Sequence, residues 1–479
     1  MKFSDISSSV FFPIKFRGNF HVQIGADAAI AAGLRAGGLC VRLLVCVAMV
    51  GCGLWNPAGS PDYKPSRLPV GELAVGVWLP AGLEEFRFGV EDKERLVELG
   101  INRIEWLQRA AVDSVTAEEI AMEFCDRVGL RMPVYYEPRG FSPHDKLHDW
   151  ARAKPAADFE GEVRQRVRLL REQWSGSPGF WGYLIGHEDY RKEYYQGLAK
   201  LVEVLRDEDA ARPAISVGRL DHYQKVDRFF DALFVEGGTP NIFQQEHYVF
   251  RGDVPLEGKG LKRRLNELVE GYDRVARKLQ GRHGRWHAIV QAQGETRDGV
   301  AFYRKPTAAE MRVQVGLALS RGAAGIVYFL YSSGLEEVRD GEGNVVERRH
   351  YEGLVERDGT PAEGYEEVRR INAELRRIAP MLEELHFHGG FSNRRLMVNP
   401  LLLRGDDDLE FGLFGDGIEA THLLVVNRRT VGSRTVELGV GGERVRDAAT
   451  GDALEVVNGR VRVDMEEGGF RLLQINQGE

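Results

Sequence analysis

From Leu73 onward, short apolar runs alternate with stretches whose apolar residues recur at helical spacing, the pattern of repeated strand–helix units. LAVGVWLP (73–80), INRIEWL (101–107), RMPVYYE (131–137), FWGYLIGHE (180–188), PAISVG (213–218), NIFQQEHYVF (241–250), RWHAIVQAQGE (285–295) and AAGIVYFLYSS (323–333) read as eight strands. Helical stretches lie between them at 92–100, 116–129, 159–174, 193–207, 227–234, 261–280 and 307–322. Gly100 is a C-terminal stop for the first, and Thr116 with Glu119 makes a capping box for the second. Eight such units over roughly 300 residues predict an α/β protein built on a (β/α)8 TIM barrel. The competing doubly wound sheet wants a G-x-G-x-x-G turn after its first strand, and this sequence has none there.

After Pro380 the period changes. DLEFGLFGD, THLLVVN, RTVELGV, RVRDAATGD, LEVVNGRVRVD and GGFRLLQIN are short alternating strands separated by Gly, Asn and Asp turns, which predicts a small antiparallel β-sandwich. A helix over 365–385 joins it to the barrel. The expected organisation is a leader (1–52), a flexible linker (53–70), a barrel (71–384) and a C-terminal sandwich (385–479).

The leader is read from one run. LLVCVAMV (43–50) follows Arg35 and Arg42 and precedes Gly51-Cys52-Gly53 and a stretch rich in Pro, Gly and Ser. That is the order of a secretory signal, and the run is too short for the ~20 residues that a spanning helix needs. Val-Gly-Cys resembles a bacterial lipoprotein processing site, which implies lipidation and membrane tethering at Cys52 and a secreted or periplasmic location. The other reading is a buried apolar segment of a cytoplasmic domain.

Composition narrows the chemistry. The formal net charge of −8 over 479 residues gives no overall basic field, so nucleic acid is not an expected partner. Three of the 4 cysteines fall in the leader region, which leaves Cys125 alone and permits no disulfide framework in the body.

Acids and aromatics gather at the C-terminal ends of the strands, where barrels of this kind place their active sites: Trp78, Glu105, Trp106, Tyr136, Glu137, Glu188, Glu246, Tyr248, Glu295 and Tyr331. The strongest element is GYLIGHED, which sets His187 and Glu188 at the end of the fourth strand. Cleavage of a glycosidic bond needs two carboxyls, one protonated and one ionised. Burial among aromatics raises the pKa of the donor. Glu188 is the first candidate, with a structural ion pair to Arg191 or Arg219 as its alternative. For its partner, Glu295 shares a face with Gln291 and Gln293 if strand alternation holds to the end of the run; Glu246 and Glu137 are the other choices. Trp78, Trp106, Tyr136, Tyr248 and Tyr331 are candidate stacking platforms for sugar rings, and each could instead be core packing. His187, Glu188, Asp189, Asp221, His222, Glu246 and His247 lack the tight spacing of a metal site, and there is no G-x-S-x-G elbow, so neither metal nor cofactor is expected.

GYLIGHED, the run EMRVQVGLALSRGAAGIVYFLYSS, the helix GLVERDGTPAEGYEEVRRINAELRRIAPMLEEL and the tail segments LLVVNRR, VRDAATGDAL and GGFRLLQI together resemble bacterial secreted glycoside hydrolases of the large retaining (β/α)8 clan, on a beta-galactosidase-like plan. The resemblance covers most of residues 71–479. It implies a carbohydrate substrate, Glu188 as acid/base and a carboxylate from the seventh strand as nucleophile. Two departures stand out: His187 occupies the place of the clan's usual Asn, and Gln293 stands where the nucleophile is expected, with Glu295 two residues on. His187, Gln293 and Glu137 are accordingly expected to contact substrate. The alternative is a carbohydrate-binding barrel that does not cleave.

Overall fold

A computed structural model describes residues 72–79, 90–107, 114–135, 159–187, 194–219, 226–234, 241–393, 401–405, 407–417 and 419–476. Seven strands open the fold: β1 (Ala74–Leu79), β2 (Arg103–Leu107), β3 (Met132–Tyr135), β4 (Phe180–His187), β5 (Ala214–Gly218), β6 (Asn241–Glu246) and β7 (Gly284–Gln291). A hairpin of β8 (Gly294–Arg297) and β9 (Val300–Tyr303) follows, and β10 (Gly325–Phe329) is the last strand of the barrel. The order is β2-β1-β10-β7-β6-β5-β4-β3, and the strand pairs are parallel. Closure comes from Ile104 N donating to Arg131 O at 2.8 Å and Arg131 N donating to Asn102 O at 3.1 Å, which join β2 to the start of β3. The fold is the (β/α)8 barrel that the strand–helix alternation predicts.

The helices are α1 (Val90–Leu99), α2 (Ser114–Val128), α3 (Phe159–Trp174), α4 (Tyr194–Glu208), α5 (Val226–Leu233), α6 (Gly258–Leu279), α7 (Ala308–Leu319) and α8 (Tyr365–Glu384). Because strand side chains alternate, Val75, Val77, Ile104, Val134, Phe243, Val290 and Ile326 face outward under the helices. Leu184, Ile215, Val217, Ile242, Ile289 and Val327 face inward. Each such fully buried side chain contributes about 1.5–3 kcal/mol. Helix α2 starts at Ser114, so Thr116 lies inside it and is not its cap; the periodic apolar positions marked the helix but not its first turn. At α7 the capping box is real, with Thr307 accepting from Glu310 N and Glu310 reaching back to Thr307 N.

The seventh strand is shorter than the sequence predicts. It ends at Gln291, and Glu295 belongs to β8, where it pairs with Tyr351 of β12 and Tyr303 of β9. Strands β11 (Gly334–Arg339) and β12 (Val345–Glu352) form a second hairpin, and the four make a sheet in the order β11-β12-β8-β9. This sheet grows from the C-terminal ends of β7 and β10 and therefore caps that face. Antiparallel partners draw residues 294–297 away from the barrel. A Cβ at Gly294 would lie 2.8 Å from Glu352 Oε2, so a side chain there would displace that carboxylate.

The C-terminal region comprises β13 (His386–Ser392), β14 (Leu402–Arg404), β15 (Leu409–Gly415), β16 (His422–Asn427), β17 (Arg434–Val440), β18 (Arg444–Asp447), β19 (Ala453–Leu454), β20 (Val456–Val457), β21 (Arg460–Met465) and β22 (Phe470–Asn476). They form two antiparallel sheets, β13-β15-β16-β22-β18-β19 and β14-β17-β21-β20, with Phe411, Leu423, Val425, Val436, Val463 and Leu473 in the core between them. The first sheet's other face joins the barrel's outer core through Phe414, Leu424, Val426, Phe470 and Leu472. Helix α7 is buried from Ala309 to Leu319, as a helix covered on all sides must be. Barrel and sandwich belong to one compact unit.

Candidate active site

The lower interior of the barrel is polar. Arg103 on β2 lies over the Trp181 ring at 3.7 Å and pairs with Glu72 at 3.2 Å, just before β1, which places this layer at the N-terminal floor. Above it Glu105, wholly buried, accepts a 2.7 Å hydrogen bond from Gln244 Nε2 and faces His287 Nδ1 at 3.9 Å. Its Oε1, Gln244 Oε1 and His287 Nδ1 have no hydrogen-bond partner. Burial pushes the Glu105 carboxyl up to about 7, against the opposing pull of Arg103 and Gln244. His287 is held well below its ordinary range by burial and by the charges of Arg103 and Arg285, so it is neutral. A Cβ on Gly76 would lie 2.4 Å from Glu105 Cγ, so that carboxylate fits only because β1 carries glycine opposite it.

At the mouth the aromatics join into a wall. Trp78 meets Phe329 edge-on at 5.4 Å, Phe329 stacks on Tyr248 at 5.4 Å, and Tyr248 meets Tyr303 edge-on at 5.7 Å. Tyr351 from the capping sheet approaches Phe329 at 6.4 Å, and Phe302 packs on Tyr303 at 4.7 Å. Tyr303 gathers the charges of the mouth around it. Its hydroxyl is raised above its ordinary range chiefly by burial; Arg219 and Arg251 pull it down, and Glu246 and Glu295 push it up. Glu246, the last residue of β6, has the inward parity of Ile242 and Gln244. Glu295 is almost fully buried and takes a 2.6 Å hydrogen bond from Arg297 Nε, whose guanidinium lies over the Phe302 ring at 3.5 Å.

The expected residues therefore sort into groups. Trp78, Tyr248, Glu246 and Glu295 meet at the mouth, though Glu295 arrives from the capping sheet and not from a barrel strand. Gln293 lies buried between β7 and β8, with neither amide atom hydrogen-bonded. Tyr331 is turned outward, with its hydroxyl 3.4 Å from Asp92 of α1 in the layer between barrel and helices, so it is no stacking platform in the mouth. Its outward turn follows Tyr328 rather than Phe329, because the chain leaves the barrel ladder after residue 329. Trp106 is the penultimate residue of β2 and His187 ends β4, with their side chains outside the described residues. Tyr136, Glu137, Glu188 and Cys52 also lie outside them. Among the described residues no group of three or more His, Cys, Asp or Glu side chains could hold a metal.

Four mouth residues were not singled out from the sequence: Tyr303, Phe302, Phe329 and Tyr351. The turn Asp340–Asn344 between alternating segments was the readable sign of the hairpin that delivers Tyr351. Gln291, at the end of β7, holds the mouth's loops in place: Oε1 accepts from Phe250 N, and Nε2 donates to Phe250 O and Arg304 O.

No protein-family model matches this chain, and no curated protein sequence is similar to it. Solved structures are. A GH42 beta-galactosidase from G. stearothermophilus, solved as a catalytic mutant, superposes with a TM-score of 0.57 at 7% identity, over 86% of this chain and 100% of that one. The chain shares its fold with glycoside hydrolases. A family 5 glycoside hydrolase from Bacteroides vulgatus gives a TM-score of 0.50 at 11% identity, over 85% of this chain and 89% of that one. A beta-galactosidase from the psychrophilic Marinomonas ef1 is matched over 62% of its own length and 65% of this chain, at 13% identity and a TM-score of 0.46. At these identities the likeness establishes the barrel with its C-terminal sheets.

Proposed function

We propose that the mouth binds a saccharide and hydrolyses an O-glycosidic bond with retention of configuration. The observation that carries this reading is the aromatic wall Trp78–Phe329–Tyr248–Tyr303 with the carboxylates of Glu246 and Glu295 set against it at the C-terminal face. Glu188, the residue after β4, is the acid that protonates the leaving oxygen. Glu246 is the nucleophile: it ends β6, one strand removed from β4, and its side chain has the parity of the barrel interior. The carboxylate attacks the anomeric carbon as the glycosidic C–O bond breaks, and water deprotonated by Glu188 then releases the sugar. Glu295, neutralised by Arg297, supports the ring electrostatically.

Glu188→Ala should lose about 10² to 10⁴-fold on an unactivated glycoside and much less on a dinitrophenyl glycoside, whose leaving group needs little protonation. Glu246→Gly should abolish turnover on both, with azide restoring part of it. Equal losses on good and poor leaving groups would remove Glu188 from the acid role. A binding barrel without turnover is favoured by one feature, Gln293 at the resemblance's nucleophile position, and full activity in both variants would leave only that reading. The reading also places the mature chain outside the cytoplasm, tethered through Cys52; a native protein that keeps residues 1–51 by mass spectrometry would refute it.

A further inference from the structure

On the rim of the mouth a cavity of about 260 Å³ opens between the end of β6 and α6, smaller than the ~300–1,000 Å³ typical of drug-sized ligands and suited to one ring-sized unit. Arg219, Arg251, Arg264 and Arg274 line it, against Glu267 and Glu270. Its lining is thus net positive in a chain whose formal charge is −8. Arg264 pairs with Glu267 at 2.8 Å, whereas among the described residues Arg251 and Arg274 make no ion pair. That sets them apart from arginines such as Arg164, Arg304, Arg312 and Arg321, each fastened to a carboxylate.

The second observation is Gln245, also in the lining and 1% exposed. Its Nε2 donates to Glu246 O at 3.3 Å, while its Oε1 is buried without a partner. Swapping the amide atoms would set oxygen against oxygen, so the group left over is an acceptor. A bare anion cannot satisfy it; a ligand carrying a hydroxyl beside its negative charge can. Gly271 lets His247 pack directly on the helix, since a Cβ there would lie 2.8 Å from His247 Nδ1.

The cavity adjoins the mouth. Tyr248 lines it and stacks in the aromatic wall, and Arg219 and Arg251 are the cations whose field reaches Tyr303. Gln245 and Glu246 are neighbours on opposite faces of one strand, so the cavity lies directly behind the position of Glu246.

We propose that this cavity is a subsite for an acidic sugar, its arginines holding a carboxylate or sulfate and Gln245 Oε1 accepting from an adjacent hydroxyl. The inference rests on the saccharide reading of the mouth but not on turnover, so it is tested by binding. In calorimetric titrations of the full chain with glucuronate, galacturonate, galactose 6-sulfate, glucose, galactose and inorganic sulfate, at least one acidic sugar should bind ten-fold or more tighter than its neutral parent and tighter than sulfate. Whether a uronate or the sulfated sugar binds best identifies the anion. Raising salt from 50 to 300 mM should weaken that binding, and Arg274→Gln with Arg251→Gln should weaken it by ten-fold or more while neutral sugars are unaffected. Equal binding of acidic and neutral sugars overturns the proposal, as does sulfate binding as tightly as the sugars or unchanged affinity in the folded double variant. Acid preference without cleavage would defeat the hydrolase reading alone, and cleavage of neutral glycosides without acid preference would defeat the subsite alone.

Discussion

Two buried glutamates, both wholly hidden from solvent, are treated in opposite ways. Glu410, at the seam between α7 and the sandwich, accepts from Arg321 Nη2 at 2.5 Å and Arg428 Nη1 at 2.9 Å, and Arg321 is held further by Asp273 at 2.8 Å. Glu105, inside the barrel, has one neutral amide donor and an unpartnered oxygen facing a neutral histidine. The seam satisfies its charges and fastens two layers. The barrel interior leaves polar atoms unmet below and beside the mouth, which is where a ligand or ordered water would use them. For these two acids, full pairing goes with the structural seam and incomplete pairing with the barrel interior.

The comparison can be broken at the seam first. Glu410→Gln leaves Arg321 and Arg428 short of their counter-charge in a dry interface and should cost about 3–5 kcal/mol in urea unfolding. A loss under 1 kcal/mol would mean that the seam is held by apolar packing alone.

The barrel side responds to pH. Glu105 is raised to about 7 in the folded protein, above the ordinary carboxylate value of 4.5 in the unfolded chain, so its contribution to stability is full below pH 4.5 and is lost as pH rises through 7. Buried neutral His287 acts with the opposite sign, costing stability as pH falls below 6.5. Glu105→Gln removes the first effect only. It should be more stable than wild type at pH 8, by about 1–3 kcal/mol, and equal to it near pH 4.5. A difference that does not change between these pH values would contradict the buried-acid account.

A smaller effect sharpens the packing half of the comparison. Gly316 on α7 sits so close to the sandwich that a Cβ would meet Val426 Cγ1 at 2.7 Å. Gly316→Ala should therefore destabilise by about 1–3 kcal/mol despite alanine's better helix propensity, whereas a gain in melting temperature would show that the seam can give way.

The eight barrel strands and the main helices were legible because each carries its own periodicity. The helix predicted over 159–174 and the observed Phe159–Trp174 coincide, and the stretch predicted over 307–322 contains α7 at Ala308–Leu319. What escaped the sequence depends on distant partners. The run from Arg285 to Glu295 reads as one strand, yet pairing with β12, more than fifty residues on, takes Glu295 off the barrel. Likewise Tyr331 looks like one more inward aromatic until the chain leaves its ladder after Phe329. Glu105 was visible as a strand-end acid, but its raised pKa follows from complete burial in the closed barrel, which no local pattern shows.

The central claim is that the barrel mouth, with its aromatic wall and adjoining carboxylates, cleaves a bound saccharide, and parallel binding and hydrolysis measurements on wild type and Glu188→Gln test it most directly. The account predicts that an oligosaccharide bound by both proteins with similar affinity is hydrolysed by wild type and at least 100-fold more slowly by the variant. Tight binding with no hydrolysis by wild type, or hydrolysis undiminished in the variant, would contradict it.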